Sequence, residues 1–174
     1  MNGNLLIIGA GIYGIVASEI AADMGCFEKI GFIDDKRKTT PNGIEVIGTT
    51  QDIDRLTDQY RNIIVAIGNP VIRLSLLKRI ESGTPYRIVS LVSPRAYISP
   101  SAEIMSGCII EPMAVVHSQC VLRSGCLISA GAVVNHAATC CEGVHVNCNA
   151  TVEGYCHVPA GTKISSGKVY KKHV

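Results

Sequence analysis

The second half of the chain repeats with a period of six residues. A residue that is nearly always aliphatic recurs at every sixth position from Ile98 to Tyr170, without a skipped step. In most repeats a small residue stands four positions later. These small residues are Ala102, Cys108, Ala114, Cys120, Cys126, Ala132, Ala138, Ala150 and Cys156. Neither the 3.6-residue period of a helix nor the two-residue alternation of a strand produces this spacing. The pattern predicts a hexapeptide-repeat solenoid, which is an all-β parallel β-helix.

The first half of the chain alternates short apolar runs with helical stretches. A predicted buried strand at 5–8 leads into a G-x-G-x-x-G turn at 9–14 and then a helix from about 15 to 24. A second strand at 30–33 ends in Asp34-Asp35. This is the order of a nucleotide-binding βαβ unit, whose glycines admit a phosphate to the helix N-terminus and whose acid reaches a ribose hydroxyl. A tight turn that packs helix on strand and binds nothing remains the alternative.

Two more apolar runs extend this α/β unit. Residues 62–67 and 87–92 predict further strands, and the segment from 71 to 82 predicts a helix between them. A Rossmann-like domain of half the usual size, with four or five strands, is therefore expected over residues 1–94. The β-helix is expected over residues 95–174.

Composition narrows the function classes. The chain has 174 residues and a formal net charge of +2, too balanced to indicate nucleic-acid binding. Most of the eight cysteines fall in positions of the repeat, so we expect reduced thiols that act as small hydrophobes in a cytoplasmic protein. Cys140, Cys141 and Cys148 lack the spacing of a zinc set, and no metal is predicted.

Membrane insertion is not predicted either. The apolar stretch from Leu5 to Ala22 has no basic residues before it and is interrupted by Glu19 and by three glycines. Few charges follow residue 97, which suggests that other copies of the chain cover part of the solenoid.

Five segments in one order resemble the bacterial sugar acyltransferases typified by UDP-4-amino-sugar N-acetyltransferases and sialic acid O-acetyltransferases. The segments are residues 9–14, 32–35, 66–69, 98–102 and 134–136. The resemblance covers nearly all of the chain. It implies a Rossmann-like domain followed by a left-handed β-helix, assembled as a homotrimer. It also implies acetyl-CoA as co-substrate and a nucleotide sugar as acceptor.

The resemblance also implies the site residues. The catalytic base is the histidine that closes the Val-x-His motif, His136, which we expect at a corner of the solenoid; a purely structural corner residue is the alternative. Residues expected near the nucleotide sugar are Gly11, Tyr13, Asp35, Lys36 and Asn69, with Ser129 as a candidate to orient the substrate. Gly143 and His145 are expected near the thioester of acetyl-CoA. By their charge, Lys168, Lys171 and Lys172 are candidates to pair with the CoA phosphates, and a solvated capping tail is the alternative.

Three features depart from the family pattern. Asn135 and Ala137 flank His136 where relatives often have a carboxylate, Tyr13 stands where several relatives have a histidine, and the solenoid is short. The absent carboxylate favours an amine as acceptor, since one deprotonation of the ammonium exposes its lone pair. Acetylation of a sugar hydroxyl, a trimeric nucleotide-sugar-binding protein without acyl transfer, and an NAD-dependent enzyme remain alternatives.

Overall fold

The computed structural model describes residues 3–171, which form two compact units. The first unit ends at Val89 and the second begins at Ser90. The boundary expected from the sequence, after Pro94, lies a few residues later. The difference arises because Leu91–Val92 already pairs in parallel with Ile109–Ile110 and so belongs to the second unit.

The first unit contains a five-stranded parallel sheet with helices between its strands. Its strands are β1 (Leu5–Ile8), β2 (Ile30–Ile33), β3 (Val46–Gly48), β4 (Asn62–Val65) and β5 (Arg87–Ile88), in the order β3-β2-β1-β4-β5. Its helices are α1 (Ile12–Met24) and α2 (Pro70–Gly83), with 3₁₀ helices at Thr50–Asp52 and Asp54–Leu56. β1 lies in the middle and all four of its residues are buried. Because the connections after β1 and β4 lie at the same sheet edge, the residues there converge.

The second unit is a stack of two-residue strands. These are β6 (Leu91–Val92), β7 (Tyr97–Ile98), β8 (Glu103–Ile104), β9 (Ile109–Ile110), β10 (Val115–Val116), β11 (Val121–Leu122), β12 (Leu127–Ile128), β13 (Val133–Val134), β14 (Thr139–Cys140), β15 (His145–Val146), β16 (Thr151–Val152), β17 (His157–Val158), β18 (Lys163–Ile164) and β19 (Val169–Tyr170). They form three parallel sheets, ordered β19-β16-β13-β10-β7, β17-β14-β11-β8 and β18-β15-β12-β9-β6. The predicted parallel repeat is confirmed, and it is consistent with a left-handed β-helix.

The two series seen in the sequence form the core of this stack. The aliphatic series from Val116 to Val158 and the small residues between its members are fully buried in one cluster. Where a cysteine occupies the small-residue position of a repeat, its thiol also donates a hydrogen bond to a backbone carbonyl at a corner. The Cys120 thiol donates to the Asn135 carbonyl at 2.9 Å, and the Cys126 thiol donates to the Cys141 carbonyl at 3.2 Å. All eight cysteines are free.

A third series, which was not predicted from the sequence, forms the corners of the coils. Every sixth residue from 107 to 167 has a left-handed backbone, with φ between 53° and 75°. Glycine occupies six of these positions, and the others are Met113, Gln119, Ala137, Asn149 and Tyr155. A residue with a side chain costs roughly 1–2 kcal/mol in this conformation. The corners at Met113, Gln119, Ala137 and Tyr155 therefore carry strain, whereas asparagine at position 149 tolerates this conformation.

One sheet of the solenoid presents an apolar outer surface. The outward residues of its five strands are Tyr97, Val115, Val133, Thr151 and Val169, which we call the apolar face. Tyr97 is 57% and Val169 50% exposed.

Within residues 3–171, no helix has the length and apolar character needed to cross a membrane.

Candidate active site

The first unit has a pocket of about 760 Å³ at the carboxyl ends of β1, β2 and β4. Its walls are the glycine turn after β1, the segment Asp34–Arg37 after β2, Thr50, and the start of α2. Four of the residues expected near a nucleotide sugar line this pocket, namely Gly11, Tyr13, Asp35 and Lys36. Ser129 belongs to the second unit and is not among the lining residues.

The three glycines of the turn have different roles. A Cβ on Gly14 would collide with the Gly9 carbonyl, so Gly14 allows α1 to pack closely on the strand end. Gly9 has φ +109°, and a Cβ there would lie 2.8 Å from the Ala66 carbonyl oxygen. Gly11, in contrast, has no atom within 4 Å of an added Cβ. Its open surface is the part of the turn that a ligand can approach.

Helix α1 begins at this open surface. Gly11 is its N-cap and makes no side-chain capping bond, so no cap competes for the backbone N–H groups of the first turn. The helix starts at Ile12, three residues earlier than the sequence predicted, because the motif residues Ile12, Tyr13 and Gly14 themselves form the first turn. Such a helix start favours anions such as phosphate.

The two aspartates after β2 anchor the pocket wall. Asp34 accepts backbone N–H bonds from Ala10 at 2.8 Å, Lys36 at 2.8 Å and Arg37 at 3.0 Å. Burial opposes its ionisation, but these bonds and the charge of Arg37 outweigh burial and lower the pKa of Asp34. Asp35 accepts both the backbone N–H and the hydroxyl of Thr50, at 2.7 and 3.0 Å.

Asn69 lies beside the pocket rather than in its wall. Its side-chain oxygen caps α2 by accepting from the N–H groups of Val71 and Ile72, at 2.9 and 3.2 Å. Arg73 holds the preceding loop from inside. It is fully buried and donates to the carbonyls of Ile67 and Gly68, at 2.7 and 3.1 Å. Arg73 occupies an ordinary position in α2, so nothing in the sequence predicts that it holds this loop.

In the second unit, His136 lies in the turn between β13 and β14, and its side chain is exposed. The Asn135 side-chain oxygen accepts the backbone N–H of His136 at 2.9 Å. The same oxygen lies 2.9 Å from His136 Nδ1. Because that atom is already an acceptor, Nδ1 must carry the proton and donate. Nε2 therefore keeps its lone pair, as a general base requires.

The next coil flanks this imidazole. A Cβ on Gly154 would lie 2.8 Å from His136 Nε2, so the absent side chain leaves the space that the ring needs. The Tyr155 ring meets the His136 ring edge to face, with centroids 5.1 Å apart and an interplanar angle of 85°. The sequence predicts a role for neither residue, although each lies one full coil after the His136–Ala137 corner.

Ser129 and His145 contact each other instead of lying at this corner. Ser129 Oγ is 3.1 Å from His145 Nε2, and the two residues are 2% and 6% exposed. Ser129 directly follows β12 and His145 begins β15, and these strands lie in a sheet that contains neither strand next to His136. The structure therefore brings these two residues together but separates them from His136.

The residues expected at acetyl-CoA are dispersed. Gly143 lies at the corner after β14, and its N–H donates to the Ser124 carbonyl at 2.9 Å, so this amide already has an acceptor in the coil stack. Lys168 is exposed just before β19. Lys171 pairs with Glu153 at 3.4 Å, with both side chains largely exposed, and such a surface pair contributes little to stability. Lys172 lies outside the described residues.

No group of three or more His, Cys, Asp or Glu side chains placed to hold a metal ion occurs in the part of the chain that the structure describes.

Comparisons with known proteins cover both units. The family model of the PglD N-terminal domain matches residues 4–80. The acetyltransferase domain of PglB from Neisseria gonorrhoeae FA1090 is 32% identical over 97% of this chain and 82% of that chain, with a TM-score of 0.91. The same domain in complex with acetyl coenzyme A has a TM-score of 0.73, with the same identity and coverage.

A more distant structure shares the fold. A variant of perosamine N-acetyltransferase from Caulobacter crescentus, in complex with CoA and GDP-perosamine, is 19% identical over 97% of this chain and 91% of that chain. Its TM-score is 0.64. No curated protein matches the chain.

Proposed function

The chain belongs to the bacterial sugar acetyltransferase family, and from this premise we propose that it acetylates the amino group of a nucleotide-activated amino sugar. It is an acyltransferase, and acetyl-CoA is its co-substrate. The finer statement, a nucleotide-linked amine as acceptor, is the proposal. It draws on the pocket of the first unit and on the imidazole of the second.

The observation that carries the proposal is the hydrogen bond between His136 and Asn135. It fixes the tautomer in which Nδ1 is protonated and Nε2 is free. An amine that attacks the thioester carbonyl must lose a proton as the new C–N bond forms. His136 Nε2 accepts that proton, the C–S bond then breaks, and the CoA thiolate leaves and takes up a proton. The products are the amide and CoA.

The first unit supports a nucleotide-sugar site. Its parallel strand order, with β1 between β2 and β4, supports a Rossmann-like half-domain, and the pocket lies at the carboxyl ends of those strands. The open Gly11 surface and the start of α1 suit a diphosphate, and Lys36 and Arg37 add positive charge at the same wall. We assign residues up to 89 to nucleotide-sugar binding and the rest to acyl transfer.

An amine is favoured over a hydroxyl by the partner of His136. Asn135 is neutral, so it orients the imidazole without the added basicity that a carboxylate supplies. A hydroxyl needs a stronger base than an amine that has already lost its ammonium proton.

Mass-spectrometric detection of acetyl transfer tests the proposal, with acetyl-CoA and a panel of UDP-, GDP- and dTDP-linked amino sugars. We expect one of these sugars to gain an acetyl group. His136→Ala should lower turnover by roughly 10²–10⁴-fold, the usual contribution of a general base. Because the side chain is exposed, the melting temperature should stay near the parent value. A His136→Ala protein that acetylates at the parent rate would refute the assigned base.

A further inference from the structure

Tyr155 occupies a corner position whose backbone conformation is unfavourable for an aromatic residue. Its φ is 59°, within the left-handed series that repeats every sixth residue. The next two corners along the chain, Gly161 and Gly167, carry the residue that this conformation favours. Strain of this kind persists where the surrounding structure enforces it, and it often accompanies function.

Core packing does not explain the tyrosine. Its side chain is 70% exposed, so the ring adds little to the buried interior of the solenoid. What the ring does contact is the candidate base, edge to face, at a centroid distance of 5.1 Å. The Tyr155 backbone N–H also donates to the His136 carbonyl at 3.1 Å, which ties the two corners together.

We infer that Tyr155 is a positioning residue for His136, an inference that rests on the proposed function. Asn135 holds Nδ1 in place, and the space above Gly154 receives the Nε2 side of the ring. Tyr155 is the third neighbour of the imidazole, with its ring edge to face and the ring centroids 5.1 Å apart. The tyrosine ring restricts rotation of the imidazole, so that the Nε2 lone pair keeps one direction. Restricting a base to its productive orientation raises turnover without a new bond to substrate.

Opposite effects on stability and on turnover test this inference. Tyr155→Gly removes the strain together with the ring, so its melting temperature should equal or exceed that of the parent. Its kcat should fall about 3- to 30-fold, since a misaligned base loses efficiency. Tyr155→Phe keeps the ring and should retain at least half of the parent kcat. Tyr155→Asn tolerates the left-handed backbone, lacks the ring, and should lose as much as the glycine variant.

Met113→Gly is the matched control. Met113 has φ 62° and is 74% exposed, but it lies at the corner between β9 and β10. The same relief of strain there should leave kcat unchanged. If Tyr155→Gly turns over at the parent rate, or if Tyr155→Phe falls as far as the glycine variant, the positioning role is wrong.

A second readout does not depend on activity. The ¹⁵N spectrum of labelled histidine distinguishes a ring protonated at Nδ1 from one protonated at Nε2. We expect His136 to show the Nδ1–H form in the parent and a mixture of both forms in Tyr155→Gly. Unchanged tautomer populations would contradict the inference. If the parent acetylated no sugar in the panel, the proposed function would fail, while this spectrum would still decide whether Tyr155 orients the ring.

Discussion

Asn135 is the residue that holds the imidazole of the proposed base, His136. Its single side-chain oxygen accepts both the backbone N–H and the ring Nδ1–H of His136. A carboxylate in its place would accept the same two bonds and would in addition stabilise the imidazolium. Asn135 therefore supplies the orienting part of that interaction without the charge.

Substitution of Asn135 separates orientation from charge. Asn135→Leu removes the acceptor, so the ring can take either tautomer, and kcat should fall roughly 10- to 100-fold. Asn135→Asp keeps the acceptor and adds a charge that favours proton uptake, so kcat should match or exceed that of the parent. Initial rates at saturating concentrations of both substrates measure the effect. An aspartate variant as slow as the leucine variant would contradict this account of the hydrogen bond.

At the residue scale the sequence predicted His136 as the base, a role that stays a proposal, but it did not predict the residues that surround the imidazole. His136 was identified because it closes a motif of three adjacent residues. Gly154 and Tyr155 act across one full coil, and the direction of a side chain at a corner depends on the left-handed backbone there. The corners repeat with the same period of six residues, but five of them carry a residue other than glycine, so the sequence does not reveal this series as left-handed.

At the scale of elements, the turn between β1 and α1 combines close packing at Gly14 with an open surface at Gly11, where we propose that the ligand binds. Gly14→Ala would force its Cβ against the Gly9 carbonyl and should destabilise the protein by about 1–3 kcal/mol, as overpacking does. Gly11→Ala meets no protein atom, and its ordinary φ of −84° adds no strain. Alanine is only a poorer N-cap than glycine, so the loss of stability should stay below about 1 kcal/mol.

We therefore expect different defects in the two variants. Gly11→Ala should raise the KM for the nucleotide sugar while it folds almost normally, whereas Gly14→Ala should lower the melting temperature first. Thermal unfolding and steady-state kinetics on both proteins distinguish these outcomes. A Gly11→Ala enzyme with the parent KM would mean that the open side of the turn is not where the ligand binds.

The end of β2 gives a prediction about pH. Asp34 accepts hydrogen bonds from three backbone N–H groups and has a lowered pKa. Its negative charge therefore stabilises the folded state at pH values above 3.8, the ordinary pKa of an aspartate. That contribution decreases as the pH falls through the lower pKa of the folded state. Asp34→Asn must turn an NH₂ group toward one of these donors. The substitution should lower the free energy of unfolding by about 1 kcal/mol at pH 7. This value is at the low end for hydrogen bonds to a charged group, because solvent screens the Asp34 carboxylate.

Urea unfolding of the parent and of Asp34→Asn at pH 7 and at pH 3 checks the sign. The difference in unfolding free energy between the two proteins should be smaller at pH 3. A difference that is constant across this range would show that the charge of Asp34 does not contribute.

The elements were predictable where they are long or periodic. β1, β2 and the repeat strands follow from apolar spacing alone. β3 was missed because it has three residues, all of them half-buried. The apolar run at 87–92 was expected as one strand, but its two ends pair with different sheets, β5 with β4 and β6 with β9. Such long-range pairing leaves no local signal.

At the scale of the whole molecule, the apolar face favours association. We propose that copies of the chain meet there and form the homotrimer that the sequence suggested, with a mass of about three times 18.5 kDa. Val115→Lys would bury a charge in that contact and should shift the protein toward monomer.

Sedimentation equilibrium on the parent, on Val115→Lys and on Glu103→Lys tests the assembly. Glu103 is the exposed outward residue of β8, in a different sheet, and its substitution should leave the mass unchanged. A parent protein that sediments as a monomer would refute the proposed trimer, and a trimeric Val115→Lys would exclude this face.

The buried thiols of the solenoid can report its local opening, because a reagent reaches each thiol only when the coil around it opens. Cys156, Cys140, Cys126 and Cys108 lie buried at successive heights of the stack, while Cys26 and Cys148 are exposed. Each coil contacts only its neighbours, so local opening of a coil should expose its own thiol while the other coils stay closed. A disulfide reagent should therefore label Cys26 and Cys148 at once, and each buried thiol only as often as its coil opens. The labelling rates would give the free energy of opening for each coil, without any substitution in the chain.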